Sequence, residues 1–173
     1  VSGAVTRMRQ PLFLRDTGGA AAVEMALMLP LLLALLFVTF EGGYFLWNEH
    51  KVVKAVRDGA RYAGRLSFAD YECDPDSIDG TAETTIKNLT RTGQLSGGTP
   101  VVAGWNDSGV EVSVSCQAED GIYEGNSNNA PVVTVSASVP YPVSPLTAVA
   151  GALGLNVASI HLHAEAQSPV MGL

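Results

Sequence analysis

Basic residues are scarce in this chain: ten Lys and Arg stand against seventeen Asp and Glu, for a formal net charge of −7. Neutralising phosphates takes clustered Lys and Arg, so this balance argues against a nucleic-acid binder. The one local basic cluster, Lys51 to Arg65, is interleaved with Glu49 and Asp58 and reads as a solvated helix face. Cysteine is nearly absent, with only Cys73 and Cys116. An even count permits one disulfide if the surrounding domain is exported; the alternative is two buried thiols. No P-loop, dinucleotide fingerprint, CxxC or Ser-His-Asp arrangement occurs, so nothing recommends an enzyme and no cofactor or metal is expected.

What the chain does have is one long hydrophobic run. Ala20 to Phe40 reads AAAVEMALMLPLLLALLFVTF and contains a single charge, Glu24. About 20 apolar residues suffice for a helix to cross a hydrocarbon core, so this block predicts a transmembrane helix. Pro30 is compatible with such a span, because neighbouring groups can satisfy the backbone it frees. A cleaved secretory signal fits less well. The basic leader with Arg7, Arg9 and Arg15 suits one, but the run ends in FVTFEGGYFLW with no Ala-x-Ala site. Those arginines favour a cytoplasmic N-terminal side. Lys51, Lys54, Arg57, Arg61 and Arg65 follow the span and outnumber them, so charge alone leaves orientation open.

Glu24 calls for explanation, since an ionised carboxylate in hydrocarbon costs a few kcal/mol. It either lies near enough to the interface to reach water or has a partner and a role. Its neighbourhood favours the second reading. Gly18-Gly19 sits between basic leader and apolar run, and Glu24 is the fifth residue counted from Ala20. This arrangement resembles the type IV prepilin processing site, where a membrane peptidase cuts after the glycine on the cytoplasmic side and the helix is kept. Cleavage at Gly19 would place a new ammonium on Ala20, one turn before Glu24. In a packed filament a neighbour's ammonium can pair with that carboxylate and offset its desolvation.

The longer string from Gly18 to Arg65 resembles the TadE-like family, pseudopilins of the tight-adherence (Tad/Flp) pilus machinery. The matching residues are Val23-Glu24, Leu29-Pro30-Leu31, Glu41-Gly42 and Arg57-x-Gly59-Ala60-Arg61-Tyr62-Ala63. Met25 and Gly43 stand where the family usually has a bulky aromatic. The resemblance implies a Tad/Flp minor pilin or pseudopilin, processed at Gly19-Ala20, acting in pilus assembly or adhesion through helix packing that involves Glu24, Pro30, Glu41 and Gly42. It implies as partners the prepilin peptidase, other pilins and pseudopilins, the inner-membrane assembly platform and the lipid bilayer. It further implies a single-pass bacterial inner-membrane protein, N-terminus cytoplasmic and C-terminal domain extracytoplasmic, with entry into the filament left open. The alternative is a permanently anchored envelope scaffold or binding module, uncleaved and unpolymerised.

The fold class expected is α+β, with a long N-terminal helix continuing into a small antiparallel-sheet, pilin-like domain. Residues 1–19 form the leader, 20–66 the helix and 67–173 the outer domain. Apolar residues at Tyr44, Trp47, Val52, Val56, Ala60 and Ala63 keep near-helical spacing, so one helix of ~70 Å is expected, with Gly42-Gly43 as its hinge or thinning point. A turn-rich linker, Ser67 to Gly80, precedes a helix from Thr81 to Leu95 with Ile86 and Leu89 inward, ended by Ser96-Gly97-Gly98. Strands are expected at Pro100–Trp105, Val110–Ala118, Val132–Pro140 and Ala158–Gln167, with a short apolar turn or helix from Pro145 to Leu155.

A Cys73–Cys116 bridge would staple the sheet to the helix end. The acidic run Asp70, Glu72, Asp74, Asp76 and Asp79 lacks the spacing and distal Glu of an EF-hand and reads as a solvated loop. His161, His163 and Glu165 share one strand face, yet no fourth ligand or pocket is visible. Asn88-Leu-Thr matches a glycosylation sequon, a triplet that arises often by chance.

Overall fold

The computed structural model describes residues 18–73, 75–118, 121–124, 130–154 and 160–172. Arg7, Arg9, Arg15, Asp74 and Ala158 lie outside the described residues. The chain divides into two units, Val1–Phe40 and Glu41–Leu173. Helix α1 (Gly18–Ala63) begins in the first and ends in the second, with Pro30 and Gly42-Gly43 inside it.

Within the second unit, α1 is followed by a short hairpin, β1 (Tyr71–Cys73) with β2 (Asp76–Ile78), and by α2 (Gly80–Thr92). Strands β3 (Val110–Gln117) and β4 (Ala130–Pro140), helix α3 (Pro145–Ala152) and β5 (His161–Pro169) complete it. The main sheet is antiparallel in the order β3-β4-β5, so the expected α+β architecture holds. Alternation does the sorting. On β4, Val133, Val135, Ala137 and Val139 are buried while Thr134 and Ser136 are half-buried and Ser138 is exposed. They share one core with Val52, Val56, Ala60 and Ala63 of α1, Ile86 of α2, Leu162 of β5 and Tyr71 of the hairpin.

The helices meet closely where Gly59 faces Thr90; a methyl group at Gly59 would overlap the Thr90 hydroxyl. The chain end is tied to α1 as well. Met171 N–H donates to the Gly64 carbonyl at 2.8 Å, and Val170 N–H to that of Pro131 at 3.0 Å.

Four expectations need correction. The Ser67–Gly80 linker contains the β1–β2 hairpin, in register Tyr71↔Ile78 and Cys73↔Asp76. Tyr71 is buried and its hydroxyl donates to the Ala63 carbonyl at 2.6 Å, so the hairpin folds back on the end of α1. Helix α2 stops at Gly93, whose φ of 75° makes the left-handed cap, and Leu95 is left exposed. Residues 100–105 form no strand: Gly104 turns with φ 82°, and Val102 and Trp105, three apart, are the buried pair. Finally, the inward face of α1 keeps the expected Val52, Val56, Ala60 and Ala63 but departs from the expected positions before them. Asn48 is buried and Phe45 half-buried, whereas Tyr44 and Trp47 are exposed. Counting back from Val52 by helical steps of four, three and four gives Asn48, Phe45 and Glu41.

Candidate functional site in the N-terminal helix

From Val23 to Phe40 the large apolar side chains of α1 are exposed throughout. Among the described residues this is the helix long and apolar enough to cross a membrane, and none of its apolar window is buried. An uncovered run of Leu, Met, Phe and Val this long is incompatible with free water contact and fits lipid or other helices. One apolar N-terminal helix of this kind is consistent with single-pass anchoring.

Gly18 and Gly19 belong to the first turn of α1, so the helix starts slightly before the expected Ala20. Ala20 and Glu24 lie four residues apart and hence on one face, one turn from each other. Both are exposed. Glycine is a weak helix former, by about 1 kcal/mol against alanine, so a turn opening on two glycines unwinds readily.

Glu41 has a different environment. Its Oε1 accepts from the Tyr141 hydroxyl at 2.7 Å and from the Ser144 hydroxyl at 2.6 Å. Ser144 is also the N-cap of α3, in a reciprocal capping box with Thr147. The Tyr141 ring sits 6.0 Å from Tyr44 and 5.7 Å from Phe45, centroid to centroid. Burial, and then the Glu41 carboxylate, hold the Tyr141 phenol well above its usual range. One turn further along α1, the Asn48 amide donates to the Tyr44 carbonyl at 2.8 Å. The carboxylate of Glu41 is thus engaged within its own domain. Sequence reasoning had singled out Glu41 and missed both partners, which lie about a hundred residues away.

Cys73 and Cys116 form a disulfide, with Cα atoms 5.7 Å apart. It joins the end of β1 to β3 and so staples hairpin to sheet, rather than sheet to the end of α1. The other sequence candidates do not assemble into a site. Asp79 caps α2, accepting from the Thr81 and Ala82 N–H groups; those bonds, that of Ala82 foremost, lower its pKa. His161, His163 and Glu165 are exposed on the outer sheet face, with the two imidazole centroids 6.2 Å apart. Among the described residues, the grouping of three ligand-type side chains is Cys73, Asp76 and Cys116, and both its sulfurs are in the disulfide.

The structure therefore defines a class: an exposed apolar N-terminal helix running into a disulfide-stapled α+β domain. Comparison with protein families adds that residues 19–61 match the TadE-like protein family, so the chain carries a TadE-like segment over most of α1. The resemblance read from Val23-Glu24, Leu29-Pro30-Leu31, Glu41-Gly42 and the Arg57–Ala63 motif is borne out over that segment. No curated protein matches the chain, and no solved structure does.

Proposed function

We propose that this chain is a minor pilin or pseudopilin of a Tad-type pilus, non-enzymatic, assembling through the apolar half of α1. The observation that carries the reading is the coincidence of the TadE-like segment with an exposed apolar helix bearing Glu24 five residues after Gly19. In this reading prepilin peptidase cuts between Gly19 and Ala20 on the cytoplasmic face. The new Ala20 ammonium then becomes available to a carboxylate such as Glu24 in a neighbouring subunit, where pairing offsets the desolvation of both charges. Exposed Leu, Met and Phe around the helix supply packing surface toward other pilins, the inner-membrane platform or lipid.

The disulfide supports an extracytoplasmic C-terminal domain, because such bonds persist in oxidising compartments. That orientation puts the residues before Gly18 in the cytoplasm, beside the peptidase.

The test is mass spectrometry of the N-terminus of membrane-extracted protein, from cells with and without prepilin peptidase. A chain beginning at Ala20 only where the peptidase is present is the expected result. An uncut chain in both strains would overturn the proposal in favour of a permanently anchored envelope module. Glu24→Ala, expressed beside it, is expected to be cut yet to fail in assembly.

A further inference from the structure

The sequence from Pro140 to Ile160 contains no Asp, Glu, Lys, Arg or His. Within the folded unit this stretch also holds most of the exposed apolar side chains outside α1. Val143 is 81%, Val149 58% and Leu153 74% exposed, and Leu146 and Ile160 are also exposed. Among the described residues beyond this stretch and α1, the exposed large apolar ones are Leu95, Val101 and Met171, far apart in sequence. The exposed apolar side chains described outside α1 thus concentrate in one segment, built around α3.

The hydrogen bonds fix where that segment lies. Ser144 and Tyr141 both donate to Glu41, and Glu41 directly follows Phe40, the last residue of the apolar run. The start of α3 is therefore held on the residue that directly follows the apolar run in sequence. The same level carries an aromatic group: Tyr44 and Tyr141 in edge contact, and Trp47, which is 63% exposed with the Lys51 ammonium 5.5 Å from its ring. Tyr and Trp concentrate at membrane–water interfaces, where an apolar ring can sink while its polar edge stays wet. A lysine one turn beyond reaches headgroups from the aqueous side.

We infer that α3 with Val143 and Leu153, together with Tyr44 and Trp47 of α1, seats the domain in the headgroup–acyl boundary of a phospholipid bilayer as a second, non-spanning membrane contact. Eight residues are too few to cross a bilayer, but enough to lie in its interface. Part of what such a helix must hide is provided for: Ser144 accepts from the Thr147 and Ala148 N–H groups, and Glu41 takes the hydroxyl proton of Ser144. Lipid is favoured over a protein occupant by continuity: a membrane-spanning α1 brings bilayer to the level of Glu41 in every copy, assembled or not. Two attachments, one spanning and one interfacial, would fix the orientation of the domain on the membrane. The inference rests on α1 spanning the bilayer.

The experiment uses the full chain, disulfide formed, reconstituted in phosphatidylcholine vesicles. A small fluorophore is placed in turn at position 33 in the apolar run, at 149 in α3, and at exposed position 65, just past the end of α1, which rises about 33 Å from Glu41 to Ala63. Each is quenched separately by nitroxide-labelled lipid and by aqueous iodide. Position 33 is expected to be lipid-quenched, 149 to be quenched best by nitroxides near the headgroup and shielded from iodide, and 65 to be quenched by iodide. If 33 itself escapes lipid quenching, α1 does not span and both readings fail. If 33 is lipid-quenched but 149 is open to iodide, the interfacial contact alone is overturned. Shielding of 149 from both quenchers would assign the surface to a protein partner, such as a second copy, and would also overturn it. In Val149→Asp/Leu153→Asp, both sites being exposed, headgroup-level quenching of Trp47 is expected to be lost. Near-ultraviolet circular dichroism and an intact disulfide check that this variant is folded.

Discussion

Removing the disulfide tests how the hairpin is held to the sheet. The bond closes a loop between residues 43 apart, Cys73 and Cys116, and joins β1 to β3 without any backbone pairing between those strands. In the chain-entropy account, cross-linking over such a loop removes freedom from the unfolded chain worth about 4 kcal/mol. An isolated two-stranded ribbon is marginal in water, so the hairpin depends on its ties to the rest of the domain. Besides the disulfide these include the buried Tyr71 ring, its hydroxyl bond to Ala63 and Ile78 packed against the core. Cys73→Ala/Cys116→Ala in one chain avoids the stray thiol of a single variant. Urea unfolding of the full chain in detergent micelles, followed by near-ultraviolet circular dichroism, is expected to show that about 4 kcal/mol is lost, with the denaturant slope rising as the freed unfolded chain exposes more surface. Reducing the native protein should reproduce the loss. A decrease below about 1 kcal/mol, with intact mass confirming that the bond was present beforehand, would refute the argument that unfolded-chain entropy sets its contribution. Protein made where thiols stay reduced should show the same deficit.

Two other perturbations probe the remaining contacts of α1. Tyr141→Phe removes a hydrogen bond to a carboxylate that is only partly buried, and about 1–2 kcal/mol of domain stability is expected to go. A cycle with Glu41→Gln should show the two changes to be non-additive, and additivity would deny the contact. The same phenol gives a pH signature together with Tyr71, whose pKa is raised by burial first and Asp70 second. Both folded-state pKa values lie above the unfolded one of about 10, so their contribution is complete below that pH and is lost as pH rises beyond it. Alkaline unfolding should accordingly flatten in Tyr71→Phe/Tyr141→Phe. Gly59→Ala drives a methyl group into the Thr90 hydroxyl; overpacking of about 1–3 kcal/mol should outweigh the gain of up to about 1 kcal/mol in helix propensity. Thr90→Ala in the same chain should recover part of that loss, read as melting temperature.

Much of this protein is local physics. The apolar run is a helix because nothing from Ala20 to Phe40 but Pro30 opposes one, and its length is enough to span. Strict alternation in Val110–Val114 and Val133–Val139 fixes strands and their inner faces, since neighbouring side chains on a strand point opposite ways. Asp79 and Ser144 mark helix starts for similarly local reasons. The hairpin escaped because its strands are short and acidic, and their formation depends on Tyr71 finding the end of α1.

What depends on contacts far apart in sequence had to await the fold. Periodicity gave α1 an apolar stripe, but Tyr44 and Trp47 fit such a stripe as well as Phe45 and Asn48 do. Packing against the sheet chose the second pair and left Trp47 exposed. Glu41 was legible as a charge at the end of a hydrophobic run. Only the tertiary structure gave it Tyr141 and Ser144, because a hydrogen bond depends on where two atoms meet in space and a sequence specifies only their order along the chain.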